Sequence, residues 1–233
     1  MIEKETNKVI VALDYANIKN AKDFVSKLNP KYCHVKIGKE LFIATGPAFI
    51  EYLHTKQFKV FLDLKFYDIP TTVRKACEVA SQLGIWMLNV HASGGGAMLE
   101  AALEGVNKVK EKPLLIAVTV LTSMNQETLN EIGVSRHLED QELHLAKLTE
   151  KSGLNGIVCS AKDLSFLKTH FHNSFLFITP GIRMANDLPN DQIRTMTPID
   201  AIKAGSNYLV IGRSITQSKN PTETLEKIYL EIN

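Results

Sequence analysis

The feature that most constrains this chain is a repeated alternation. A short apolar run rich in β-branched residues, generally followed by a stretch with helical spacing, recurs eight times. The strand-like runs fall at residues 9–13, 32–37, 59–64, 86–91, 114–120, 156–159, 175–179 and 208–211. Helical patterns follow at 18–28, 72–83, 97–109, 139–152, 163–169 and 198–204, and 221–232 opens with Pro221 in a good first-turn position. The apolar runs are continuous rather than alternating, as expected of parallel strands covered on both faces by helices. Eight βα units in 233 residues fit one closed (β/α)8 barrel, a single α/β domain over 1–233. A doubly wound open sheet is the alternative. No Ser/Gly-rich linker or low-complexity run divides the chain.

Both architectures place function at the C-terminal ends of the strands, and here those ends are polar. The first run leads into Asp14, the second carries Lys36, and the third carries Asp63 and Lys65. The fourth leads into His91-Ala92-Ser93-Gly94, the fifth into Thr122-Ser123, the seventh into Pro180-Gly181-Ile182-Arg183, and the eighth into Gly212-Arg213. Unpaired buried charge is costly, so such a ring implies mutual pairing or a ligand.

The sharpest element is Asp63-Leu64-Lys65-Phe66-Tyr67-Asp68-Ile69-Pro70. Residues two apart on a strand share a face. Asp63 and Lys65 therefore point to the barrel mouth, with Leu62 and Leu64 toward the helices. Asp68 follows on the loop. A lysine between two carboxylates is held protonated and acts as a proton donor rather than an amine nucleophile. An isolated Asp-x-Lys is usually a surface ion pair; beside Lys36 and Asp14 at a barrel mouth it reads as functional.

Gly212-Arg213 after the last strand suits a phosphate, because glycine admits an anion to the backbone and arginine binds its oxygens bidentately. Thr179-Pro180-Gly181-Ile182-Arg183 leads into a long polar stretch over 184–197 with Asn186, Asp187, Asn190, Asp191, Gln192 and Arg194. A βα connection of that length suits a lid. His91 at a strand end has a structural explanation of at least equal weight, and the Gly94–Gly96 run caps a strand or approaches a ligand; Trp86 is most simply core, and Lys108, Lys110 and Lys112 form a small basic group on a solvated helix end.

Composition excludes several classes. Basic residues number 27 and acidic ones 25, a formal charge of +2, so no general nucleic-acid-binding face is expected. No window approaches a membrane span, and the N-terminus lacks a signal-peptide core. Cys33, Cys77 and Cys159 are scattered, without metal-ligand spacing. The expectation is a cytoplasmic protein that binds neither nucleic acid nor membrane.

Read in order, Val11-Ala12-Leu13-Asp14, His34-Val35-Lys36-Ile37-Gly38, the Asp63–Pro70 element, Leu121-Thr122-Ser123-Met124, Thr179–Arg183, Asp191-Gln192 and Val210-Ile211-Gly212-Arg213 resemble the bacterial orotidine 5′-phosphate decarboxylases. One departure is Thr71, where bacterial members often carry Asn. The resemblance implies conversion of orotidine 5′-monophosphate to UMP and CO2, the last step of UMP synthesis, without metal or organic cofactor. It implies a homodimer with sites at the interface. By motif match, Lys65 protonates C6 of the pyrimidine and Asp63 lies beside the substrate carboxylate. Asp68, Ile69 and Thr72 reach the partner's site, Asp14 and Lys36 hold the ribose, and Thr122 and Ser123 contact the pyrimidine. Pro180 lines the site, and Arg183, Gln192, Gly212 and Arg213 hold the phosphate, with Gln192 on the lid. The rivals are Mg2+-dependent sugar-phosphate decarboxylases and aldolases of the same superfamily, which carry an acidic ligand where this chain has Lys36, and a non-catalytic nucleotide sensor.

Overall fold

A computed structural model describes residues 7–184 and 195–233. Eight strands close into a parallel barrel in chain order. They are β1 Val9–Leu13, β2 His34–Gly38, β3 Val60–Phe66, β4 Met87–His91, β5 Leu114–Val118, β6 Gly156–Val158, β7 Leu176–Thr179 and β8 Tyr208–Ile211. β1 pairs with β8 through Val9–Leu209, Ile10–Val210 and Val11–Ile211, which closes the ring. The closed barrel therefore replaces the open-sheet alternative.

The helices are α1 Ile18–Val25, α2 Lys39–Thr45, α3 Ala48–Thr55, α4 Pro70–Ser81, α5 Gly96–Val106, α6 Gln126–Glu131, α7 Leu138–Lys151, α8 Leu164–Leu167, α9 Pro198–Ala204, α10 Arg213–Thr216 and α11 Pro221–Ile232. Side chains start several of them. Asn17 accepts a hydrogen bond from Asn20 N at α1, and Asn125 accepts from Thr128 N at α6. Thr197 and Asn220 cap α9 and α11, each followed by proline at the first helical position. These caps satisfy amide donors that the first turn leaves unpaired. Helical periodicity in the sequence does not mark α2, α3, α6 and α10, which are four to eight residues long.

The strands bury both faces, as their continuous apolar runs require. Outward residues such as Val11, Val35, Leu62 and Leu88 pack in one large core against the helices. Inward residues form a second core inside the barrel, with Ile10, Ala12, Phe61, Met87, Ile116 and Ile178. Aromatic rings fill its N-terminal end: His34 lies 4.3 Å from Trp86, and Trp86 lies 5.1 Å from Tyr208, centroid to centroid. With that end filled, the inward positions left to a ligand are those at the C-terminal mouth. The fifth run stops at Val118, two residues short of its expected end. Thr119 there turns its hydroxyl onto the carbonyl of Val158 at 3.1 Å.

Candidate active site

Above the inner apolar layer the inward-facing positions become charged. Lys36 alternates with Val35 and Ile37 on β2, so it points inward while they pack outward. Its side chain is 11% exposed, and its ammonium lies 3.0 Å from Asp63 and 3.6 Å from Asp14. Asp63 is itself buried and meets the Lys65 ammonium at 2.6 Å on its other oxygen. The array thus runs from β1 through β2 to β3 as Asp14, Lys36, Asp63 and Lys65.

Its electrostatics follow from burial and pairing. Burial pulls the Lys36 ammonium toward neutrality, but the charges of Asp63 and Asp14 outweigh it and leave the pKa raised. Burial pushes Asp63 up, yet Lys36, Lys65 and hydrogen bonds from Lys65 and Asn89 bring it down to about 2. Both groups are therefore charged at neutral pH. His91, at the end of β4, is shifted down by burial and by Lys65 and Lys39, with Asp63 opposing.

Lys65 reaches Asp63 by a route that strand alternation does not describe. Its φ is +52°, one of two positive values at non-glycine residues among those described. The pairing of β3 with β4 slips here, with Leu62 opposite Leu88 but Phe66 opposite Val90, so β3 carries two extra residues. A left-handed lysine is costly and survives only where surroundings hold it. Leu62 and Leu64 do face the helices.

Asp68 departs from the reading of a lysine flanked by two carboxylates of one chain. It is exposed, and its carboxylate accepts from the Ile69 amide at 2.6 Å rather than pairing with Lys65. Ile69 and Thr72 are exposed on the same turn.

A cavity of about 520 Å³ opens over the array. Asp14, Lys36, Asp63 and Lys65 line one side; Thr122, Pro180, Arg183, Gly212 and Arg213 line the rest. Phe61, Val118, Val158 and Val210 form an apolar wall. Ser123, Asp68, Ile69 and Thr72 are not in this lining. Gly181, at φ +79°, turns the chain after β7. Arg183 N then donates to Met196 O at 3.0 Å and Met196 N to Gly181 O at 3.3 Å, which ties together the two ends of the long polar stretch. Gln192 lies outside the described residues. Among the described residues lining this cavity, the carboxylates of Asp14 and Asp63 both lie against the Lys36 ammonium.

This arrangement suits an anionic ligand with two ends, one against a buried carboxylate–ammonium array and one against two arginines. Comparison with known proteins gives the family. The profile of the orotidine 5′-phosphate decarboxylase / HUMPS family matches residues 7–228. The chain belongs to this family. It is 50% identical over 228 residues to the orotidine 5′-phosphate decarboxylase of Legionella pneumophila strain Corby, covering 97% of this chain and 100% of that one. It is 53% identical over 227 residues to that of Tolumonas auensis, covering 97% and 98%. A crystal structure of orotidine 5′-phosphate decarboxylase from Lactobacillus acidophilus superposes with a TM-score of 0.87 at 37% identity, covering 97% and 99%. The family and fold expected from the sequence hold.

Asn89 escaped the sequence reading. It is 1% exposed on β4, on the inward face shared by Met87 and His91. Its side chain donates to Asp63 at 2.6 Å and accepts from the Lys65 backbone amide at 2.8 Å. The available signal was an amide in an apolar run.

Proposed function

We propose that this protein decarboxylates orotidine 5′-monophosphate to UMP and CO2, with no metal or organic cofactor, and so completes UMP synthesis in the cytoplasm. The observation that carries this reading is a buried Lys36–Asp63–Lys65 array opening into the same cavity as Arg183 and Arg213. The likeness of the whole chain to curated decarboxylases at about 50% identity supports it.

When the C6–carboxylate bond breaks, its electron pair stays on C6 as a vinylic carbanion without an adjacent carbonyl to delocalise it. Stabilisation then has to come from fixed charge near the carbon. The Lys65 ammonium, held by Asp63, provides that charge and delivers a proton to C6. Asp63 lies beside the departing carboxylate. Asp14 and Lys36 bind the ribose hydroxyls; Thr122 and Ser123 meet the pyrimidine; Pro180 closes its edge. Arg183, Gly212, Arg213 and Gln192 hold the phosphate. Phosphate binding is remote from C6, so its energy serves to organise the charged residues around the reacting carbon. Asp68, Ile69 and Thr72 complete the site of a second subunit. Their exposure fits that role, and Ile69 is 67% exposed. The Mg2+-dependent sugar-phosphate reactions of related enzymes fit less well, because Lys36 would repel the metal.

The test is the absorbance change of orotidine 5′-monophosphate with purified protein in EDTA, beside a Lys65→Ala control. Conversion to UMP by the wild type and not by the control is expected. A folded wild-type protein that leaves the substrate unchanged would remove the reading.

A further inference from the structure

We propose that Asn89 is a positioning residue of this site: its one side-chain amide holds both the Asp63 carboxylate and the left-handed backbone of Lys65 in the geometry that proton delivery needs. This inference rests on the decarboxylase reading above. β3 and β4 slip past each other here. Two extra residues on β3 leave the Lys65 amide without an ordinary ladder partner, and the side chain of Asn89 supplies one at 2.8 Å. The same side chain donates to Asp63 Oδ1 at 2.6 Å, the oxygen that also receives the Lys65 ammonium at 2.6 Å.

Partner chemistry fixes the amide's orientation. Its oxygen must face the Lys65 N–H, and its NH2 must face the carboxylate. Rotated by half a turn, it would set oxygen against oxygen and N–H against N–H. Asn89 is 1% exposed, so water does not replace either bond. Both ends of the lysine are thus secured, the ammonium by Asp63 and the backbone by Asn89. The strained φ of +52° has a physical anchor.

The charged groups around Asn89 are Asp63 and Lys65 on β3, Lys36 on β2, Asp14 after β1 and His91 on β4, with Lys39 on α2 beyond His91. An acid at position 89 would stand against Asp63. Like charge and burial would raise its pKa. Once protonated, it would regain a donor for Asp63 while keeping an acceptor for Lys65 N. Two near-isosteric variants therefore separate positioning from packing. Asn89→Asp keeps the shape and makes the donor depend on pH. Asn89→Leu fills the space and removes both bonds.

The experiment measures kcat and KM for orotidine 5′-monophosphate from pH 5.5 to 8.5, with UMP affinity and thermal melting alongside. Rates are expressed as a ratio to wild type, which cancels titration of the substrate phosphate. At high pH, Asn89→Asp should lose about 100-fold in kcat, and its ratio should recover by about tenfold as pH falls. Asn89→Leu should be impaired throughout, with a flat ratio. UMP affinity should stay closer to wild type than kcat does in both. A flat ratio for Asn89→Asp, or near-wild-type kcat for Asn89→Leu, would overturn the assignment. So would loss of the native melting transition in both variants, which would make Asn89 an architectural residue. A wild-type protein without turnover would instead sink the decarboxylase reading itself.

Discussion

Lys65 is a residue whose backbone and side chain are separately held. Its ammonium meets Asp63 at 2.6 Å while its φ sits at +52°. In the proposed mechanism, truncating it removes both the fixed charge and the proton donor. Lys65→Ala should therefore lower kcat by about 10⁴-fold or more while the far-ultraviolet spectrum and melting stay native; retained turnover would refute the role. Asp63 carries a second prediction. Its folded pKa of about 2 lies below the ordinary carboxylate value of 3.8. A depressed acid contributes stability that is present above its unfolded pKa and is lost as pH falls through the folded value. The contribution is on the order of 2 kcal/mol. Wild type should therefore be more stable than Asp63→Asn near neutrality, and the gap should close between about pH 4 and pH 2, read from urea midpoints. A gap independent of pH would show that the carboxylate charge is not what stabilises.

Among the elements, β3 and its neighbours decide how much of the site forms. β2 is regular, so alternation alone turns Lys36 inward. β3 is not, and the α4 turn after it carries Asp68, Ile69 and Thr72 outward. The next two helices lock that turn against the barrel. A Cβ at Gly105 of α5 would come within 2.2 Å of the Arg74 carbonyl and 3.1 Å of Glu78 N on α4, so glycine alone allows this spacing. Gly105→Ala should push α4 away from α5 and cost about 1–3 kcal/mol by overpacking. That is a fall of several degrees in Tm for a chain of this size. Activity should fall along with stability, because α4 carries the Asp68 turn. An unchanged melting temperature would show that the helices shift apart without cost.

The whole molecule places a charged mouth on a barrel whose other end is filled by rings. In the proposed dimer, each site would combine one protomer's Lys65 with Asp68 from its partner. Lys65→Ala and Asp68→Ala should each be nearly inactive alone. Mixed in equal amounts and allowed to exchange subunits, they should regain up to about a quarter of wild-type activity. Half the dimers would then be mixed, with one complete site in two. Verified exchange without recovered activity would show that Asp68 does not act across an interface.

Local pattern determined much of this protein. Eight βα alternations specify the barrel, since a strand buried on both faces needs helices outside and side chains within. Strand ends locate the mouth, and period-two alternation places Asp14, Lys36 and Asp63 there. Short-range chemistry also explains the caps at Asn17, Asn125, Thr197 and Asn220. Tertiary structure decided the rest. The two-residue slip between β3 and β4 and the left-handed Lys65 both depend on which strand lies alongside. Asn89 is the clearest case. In the sequence it is one amide in an apolar run, and its meaning comes from a carboxylate 26 residues away and an amide 24 residues away. Periodicity registers which face a residue takes; hydrogen bonds between strands depend on register, which only the closed barrel sets.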